Sequence, residues 1–126
     1  MFNLKKIEGG RINVFEPEML TVGDNDLDIG TACTLSSGKL IAATGKPTHV
    51  TLAKGAKGAR IPCGRVESNQ VFETTFSVAP SALNVGDKVT LATGGKNVTT
   101  NKDSGVATIV DLLGATEKDD PVLVRF

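Results

Sequence analysis

One histidine and two cysteines are the chain's strongest candidates for base and nucleophile chemistry. His49 would have to act as the base for any Ser or Cys nucleophile. It stands in "THVTLA", Thr48 to Ala53, which reads as a strand. The expectation is a strand residue facing solvent or a partner, with no catalytic role. Cys33 and Cys63 lie in apolar strand-like runs and are expected to be small buried hydrophobes. Two thiols allow one bridge at most, and with a single His they fall short of a structural zinc set.

The acidic stretch "DNDLDIG" places Asp24, Asp26 and Asp28 at alternate positions, as a calcium loop begins. Ile29 stands where that loop needs glycine, and Leu35 where it needs a bidentate acid. Gly-Lys pairs occur at Lys39, Lys46 and Lys96. None has the earlier glycine of a phosphate-binding loop, and "GAKGAR" lacks the dinucleotide pattern. No catalytic, cofactor-binding or metal residue is assigned, no cofactor is implied, and the chain is not expected to be an enzyme.

Composition narrows the partners. The 126 residues suit one domain, and 14 basic residues balance 14 acidic ones. Neutrality argues against a globally basic nucleic-acid binder. Five Phe with no Trp or Tyr argue against a stacking platform for single strands. No apolar run approaches the ~20 residues of a membrane span, and the first twenty residues do not read as a signal peptide. The expectation is a soluble protein made in a cytoplasm. The charge is nonetheless uneven. Lys39, Lys46, Lys54, Lys57, Arg60 and Arg65 fall between Gly30 and Val66 without an acid. Lys54, Lys57 and Arg60 share one glycine-punctuated loop, a candidate docking face for an acidic surface or phosphate. Gly55 and Gly58 suggest that this loop orders on contact.

The elements that must hold these residues read as strands and turns. "TACTL", "KLIAAT" and "THVTLA" are three strands, the first two joined through Gly38. "IPCGRVES" and "VFETTFSV" follow, with "SNQ" as the turn. The second alternates, with Phe72, Thr74 and Phe76 on one face. Ser81 is expected to cap a helical turn over Ala82 to Val85, ended by Gly86 in the left-handed region. "DKVTL", "NVTT", "GVATIVDLLG" and "PVLVRF" complete the strands, the last held in a sheet. Residues 1–29 have no twin later in the chain and read as an extended arm, with "INVF", Ile12 to Phe15, as a short strand.

"GTACTLSSGKLIAAT" and "GDKVTLATGGKNVTT" are one unit written twice. The match continues with His49 opposite Val106 and Pro62 opposite Pro121. Pseudo-repeats at about 30–66 and 86–126 predict an all-β domain over 30–126, a small β-barrel or sandwich of two hairpin-plus-strand units.

The texture of "GTACTLSSGKLIAATGKPTHV", and of "ALNVGDKVTLATGGKNVTT" through "DDPVLVRF", resembles the small capsid decoration proteins of tailed phages. The resemblance covers roughly residues 27–126, with "MFNLKKIEGG" similar to a capsid-contact arm. It implies a non-enzymatic structural protein on the capsid exterior of a virion. Such a protein bridges neighbouring major capsid subunits as a trimer or dimer, without direct nucleic-acid or membrane contact. The partner contacts expected on this reading are Phe2, Leu4, Lys5, Lys6, Arg11 and Phe15 of the arm, with Lys54, Lys57 and Arg60 of the loop. The alternatives are a small β-barrel nucleic-acid module and a tail or baseplate structural protein.

Overall fold

The computed structural model describes residues 1–9 and 17–126. Strand-forming segments broken by glycine and polar turns give ten strands and, among the described residues, no helix. They are β1 (Asn3–Ile7), β2 (Pro17–Thr21), β3 (Ala32–Ser36), β4 (Lys39–Ala42), β5 (His49–Thr51), β6 (Arg60–Arg65), β7 (Gln70–Thr75), β8 (Lys88–Val89), β9 (Ala107–Asp111) and β10 (Pro121–Arg125). Two antiparallel five-stranded sheets result, ordered β2-β6-β5-β3-β4 and β1-β7-β10-β9-β8. Neither closes into a barrel, so the architecture is the sandwich.

The sheets are two copies of one plan. Thr21, Leu20, Met19 and Glu18 of β2 face Arg60, Ile61, Pro62 and Cys63 of β6. Thr75, Thr74, Glu73 and Phe72 of β7 face Pro121, Val122, Leu123 and Val124 of β10 in the same order. Past β2, Val22 bridges Leu40 in parallel; past β7, Phe76 bridges Val98 in parallel. The Gly23 N–H donates to Leu40 O, and the Ser77 N–H to Val98 O, each at 2.8 Å. Gly30 N–H to Thr51 O repeats as Gly86 N–H to Ile109 O. Each repeat therefore begins one strand earlier than its sequence signal, at β2 and β7. These two strands share little beyond Thr21 and Thr75.

The register also moves by one residue. Cys33 faces His49 where Val89 faces Ala107, so Ala107, not Val106, is the counterpart of His49. In the next strand the shift is two residues, which keeps the face: Arg60, not Pro62, stands opposite Pro121. One residue matters because it exchanges the two faces of a strand.

Other expectations change for local reasons. Within residues 1–29, read as an arm that packs on the barrel or on a partner, two strands join the domain's own sheets: β1 pairs with β7, and β2 with β6. Ile12 to Phe15 lie outside the described residues. Ala82 adopts φ 54°, which breaks the expected helical turn. The Asp87 carboxylate instead accepts the Asn84 N–H, while Gly86 is left-handed as expected. "NVTT" reduces to bridges at Val98, and "SNQ" joins strands of different sheets. The β3–β4 turn is as expected: Ser37 and Gly38 both take positive φ, as a two-residue hairpin requires.

The cores differ. The second half encloses Phe72, Phe76, Val89, Val98, Ile109, Val122, Val124 and Phe126, and Phe2 joins them from the chain's start. The first half encloses a smaller cluster of Val22, Leu27, Cys33, Leu40, Ile61 and Cys63. Ala32, Ala43 and Val50, from the opposite face of the first sheet, belong to the larger cluster and join the halves.

Candidate functional site

The repeat supplies an internal control, because each position in one half has a counterpart whose chemistry can be compared. At one end of the second half, Phe72 and Phe126 touch with ring centroids 5.6 Å apart, and Phe2 completes an aromatic trio. Ala107 lies beside them, one register step past the Thr108–Arg125 pair. The counterparts of Phe72, Ala107 and Phe126 in the first half are Glu18, His49 and Arg65. The same strands hold a polar trio.

The trio is tightly made. The Arg65 Nη2 donates to Glu18 Oε1 at 2.8 Å, and His49 Nε2 lies 3.2 Å from Glu18 Oε2. Thr48 Oγ1 lies 2.9 Å from His49 Nδ1. Both ring nitrogens are thus engaged, one by the Glu18 carboxylate and one by the Thr48 hydroxyl, which also reaches Cys33 O at 3.5 Å. His49 is buried, against the expectation of a solvent-facing ring, because its counterpart is an inward-facing alanine. The hydrogen bond from His49, then the charge of Arg65, hold the Glu18 carboxyl below its usual pKa.

Hydroxyl, imidazole and carboxylate in a line also suggest a nucleophilic relay. Such a relay needs free N–H donors beside the hydroxyl to receive an oxyanion. Here the Thr48 N–H is given to Cys33 O and the Val66 N–H to Thr48 O, both at 2.9 Å. Glu18 is also shared with Arg65. The arrangement is better suited to fixing an arginine at a surface than to transferring a proton.

Arg65 stands between two grooves. One is lined by Leu35, Pro47, Thr48, His49 and Val66, with Lys46 and Glu67 at its sides, and has a volume of about 660 Å³. The other runs past Pro17, Glu18, Asn69 and Gln70. Leu35 is 45% exposed, whereas its counterpart Leu91 is 7% exposed within the larger core. The first half thus leaves open an apolar surface that the second half covers.

The basic loop lies at the opposite end of the β5–β6 hairpin. Lys54, Lys57 and Arg60 are exposed there, as a docking face requires. The loop is not a loose one. Gly55 exchanges two main-chain hydrogen bonds with Leu27, and the Lys57 N–H donates to Asp26 Oδ1 at 2.9 Å. A Cβ on Gly55 would meet Ile61 Cγ2 at 2.5 Å, so this glycine serves close packing, not flexibility. The acidic loop is its support: Asp26 braces Lys57, and Asp28 pairs with Lys96. Among the described residues no group of three or more His, Cys, Asp or Glu is arranged to hold a metal ion.

The arm contacts fare unevenly. Phe2 is a core residue at 2% exposure, because its ring fills the space between Phe72 and Phe126, so it is not a surface contact. Leu4 packs against the same core, and Lys5 pairs with Glu73 at 3.2 Å. Lys6 is exposed on the edge strand β1. Arg11 and Phe15 lie outside the described residues. The sheet edges are poor sites for strand addition. β1 carries two lysines and a bulge, β2 opens on Pro17, β4 has four residues and β8 two.

Sequence reasoning missed Glu18 and Arg65. Glu18 fell in the supposed arm, and its opposition to Phe72 shows only when the repeat is extended to β2 and β7. Comparison with protein-family models finds no match, and no curated protein is similar in sequence.

Proposed function

We propose that the protein is a structural virion component that binds the outer surface of a phage capsid and bridges neighbouring major capsid subunits. The observation that carries this reading is the asymmetry between the two copies. One half closes its end with phenylalanines; the other keeps an open groove around a braced arginine and, at its far end, a pinned basic loop. Two distinct surfaces at opposite ends of one rigid unit suit bridging. Blunted sheet edges favour contact through loops and grooves over strand addition. The four described phenylalanines are all buried, which disfavours the nucleic-acid alternative.

The test is co-sedimentation with undecorated capsids, beside DNA and RNA at two salt concentrations. Saturable capsid binding is expected, weakened at least about tenfold by Leu35→Asp and by a combined charge reversal of Lys54, Lys57 and Arg60, a loss of roughly 1.4 kcal/mol or more. Binding to nucleic acid alone, falling steeply with salt, would overturn the reading.

A further inference from the structure

The face that joins the halves has a free counterpart. In the first sheet it carries Ala32, Val50 and Gly64, all buried, and the second half covers it. The corresponding residues of the second sheet are Lys88, Thr108 and Arg125, in register as one row across β8, β9 and β10. Among the described residues no sheet covers this row as the second half covers the first: Lys88 is exposed, and Thr108 and Arg125 are half-buried. The stacking of the halves is therefore head-to-tail, and its free end is basic.

Side chains from elsewhere complete a groove there. Lys46, from the loop before β5, and Ser68, from the turn before β7, line it with Lys88, Thr108 and Arg125. Among the described residues its lining contains no acidic side chain. Gly105 brings its loop against the Lys88 main chain, where a Cβ would lie 2.4 Å from the carbonyl carbon. Two nearby acids are engaged, while Glu67 borders Lys46 on the side of the Leu35 groove. Glu8 pairs with Arg125, and Asp87 holds the Asn84 N–H and lies 3.7 Å from Lys102. Among the described residues, neither Lys46 nor Lys88 makes an ion pair.

We propose that this groove binds an acidic segment of a partner protein, its carboxylates seated between Lys46 and Lys88 and hydrogen-bonded by Ser68 and Thr108. Charge complementarity argues for carboxylates. The duplicate argues for protein, since the equivalent face is already a protein–protein contact. This surface is separate from the basic loop and meets the Leu35 groove only at Lys46, which borders both, and it does not depend on the capsid reading.

The experiment is fluorescence anisotropy with a labelled Glu-rich decapeptide, with inorganic phosphate and a single-stranded oligonucleotide as competitors. The proteins are wild type, Lys46→Glu with Lys88→Glu, and the loop variant Lys54→Glu with Lys57→Glu. The exposed lysines allow all three to fold, which their melting curves check. Peptide binding is expected to weaken at least tenfold in the Lys46/Lys88 variant and less than twofold in the loop variant. Equal loss in both variants, no loss in either, no peptide binding by wild type, or displacement of the peptide by millimolar phosphate or by the oligonucleotide would each overturn the proposal.

Discussion

The two halves share one strand ladder but differ in what they enclose. Where the second half has Phe72, Val124 and Ile109 in one row, with Val89 a diagonal step further on, the first places Glu18, Cys63 and Thr51, with Cys33 in the same diagonal position. The ladder evidently needs an inward side chain at each position and does not need it to be polar. Buried polar groups stabilise less than apolar ones unless every partner is supplied. Among the described residues every buried side-chain donor and acceptor has a partner. The first half has thus kept polar side chains in its interior, Thr51 and His49, fully satisfied; His49 carries that interior out to the half-buried Glu18 and the exposed Arg65, and this singles out that end.

The largest expected effect lies on the aromatic side. Phe72→Ala removes a fully buried ring that touches Phe2 and Phe126, and should destabilise the fold by about 3–5 kcal/mol in urea denaturation. Cys63→Ala, at the position equivalent to Val124, should cost about 1 kcal/mol, since one small buried atom is lost. Equal losses would mean that the halves are alike in energy despite their composition.

Gly55→Ala tests the smaller core from within. The new methyl would press on Ile61 and on Val22 Cγ2, 2.9 Å away, and overpacking of this kind costs about 1–3 kcal/mol. A neutral result would restore the picture of a flexible loop. His49→Ala should cost about as much, by leaving a void and two broken hydrogen bonds. The sequence alone suggested that this substitution would be harmless.

That reversal shows where legibility ends. The β3–β4 hairpin, the small-residue strands and the repeat could be read because turn residues and alternation are local signals. Phe72, Thr74 and Phe76 fell on the predicted face, and all three are buried. Cys33 and Cys63 are free and buried, as their apolar surroundings implied. The outer strands β1 and β2 could not be read, because their sheet pairing is long-range and their residues are mixed. Without β2 there was no Glu18 to oppose Phe72, and a one-residue error in register hid the burial of His49. The basic loop was legible as charge, but not as a segment clamped by the acidic loop beside it.

Thiol reactivity gives a subtler contrast. Burial, with the second thiol nearby, pushes Cys33 up to about 12; burial, with the Glu18 charge, pushes Cys63 up to about 11. The two are separated by β5 on one face of the sheet, which sets their strands roughly 9.5 Å apart, too far for a bridge. Alkylation at pH 8 should therefore be at least about a hundredfold slower in the native protein than in urea, and no disulfide should form on mild oxidation. Rapid labelling of the folded chain would show that the first half opens readily.

The smallest effect is electrostatic, and its sign can be worked out. Glu18 is held below its usual pKa by His49 and Arg65, Asp28 by Lys96, and Asp120 by the N–H groups of Thr116 and Glu117. A carboxyl with a depressed folded-state pKa lends stability that is fully present above its unfolded value, near pH ~4. That contribution is lost as pH falls through the folded value. Glu18→Gln should then be less stable than wild type at neutral pH, and the gap should shrink to nothing as the pH drops below the carboxylate range. Asp28 and Asp120 remain in both proteins, so their share of acid unfolding cancels in the difference. A gap that stays constant with pH would mean that ionisation of residue 18 contributes nothing to stability. The Glu18 charge would then not be what braces Arg65, and the strongest reason for placing a docking site at that end would be gone.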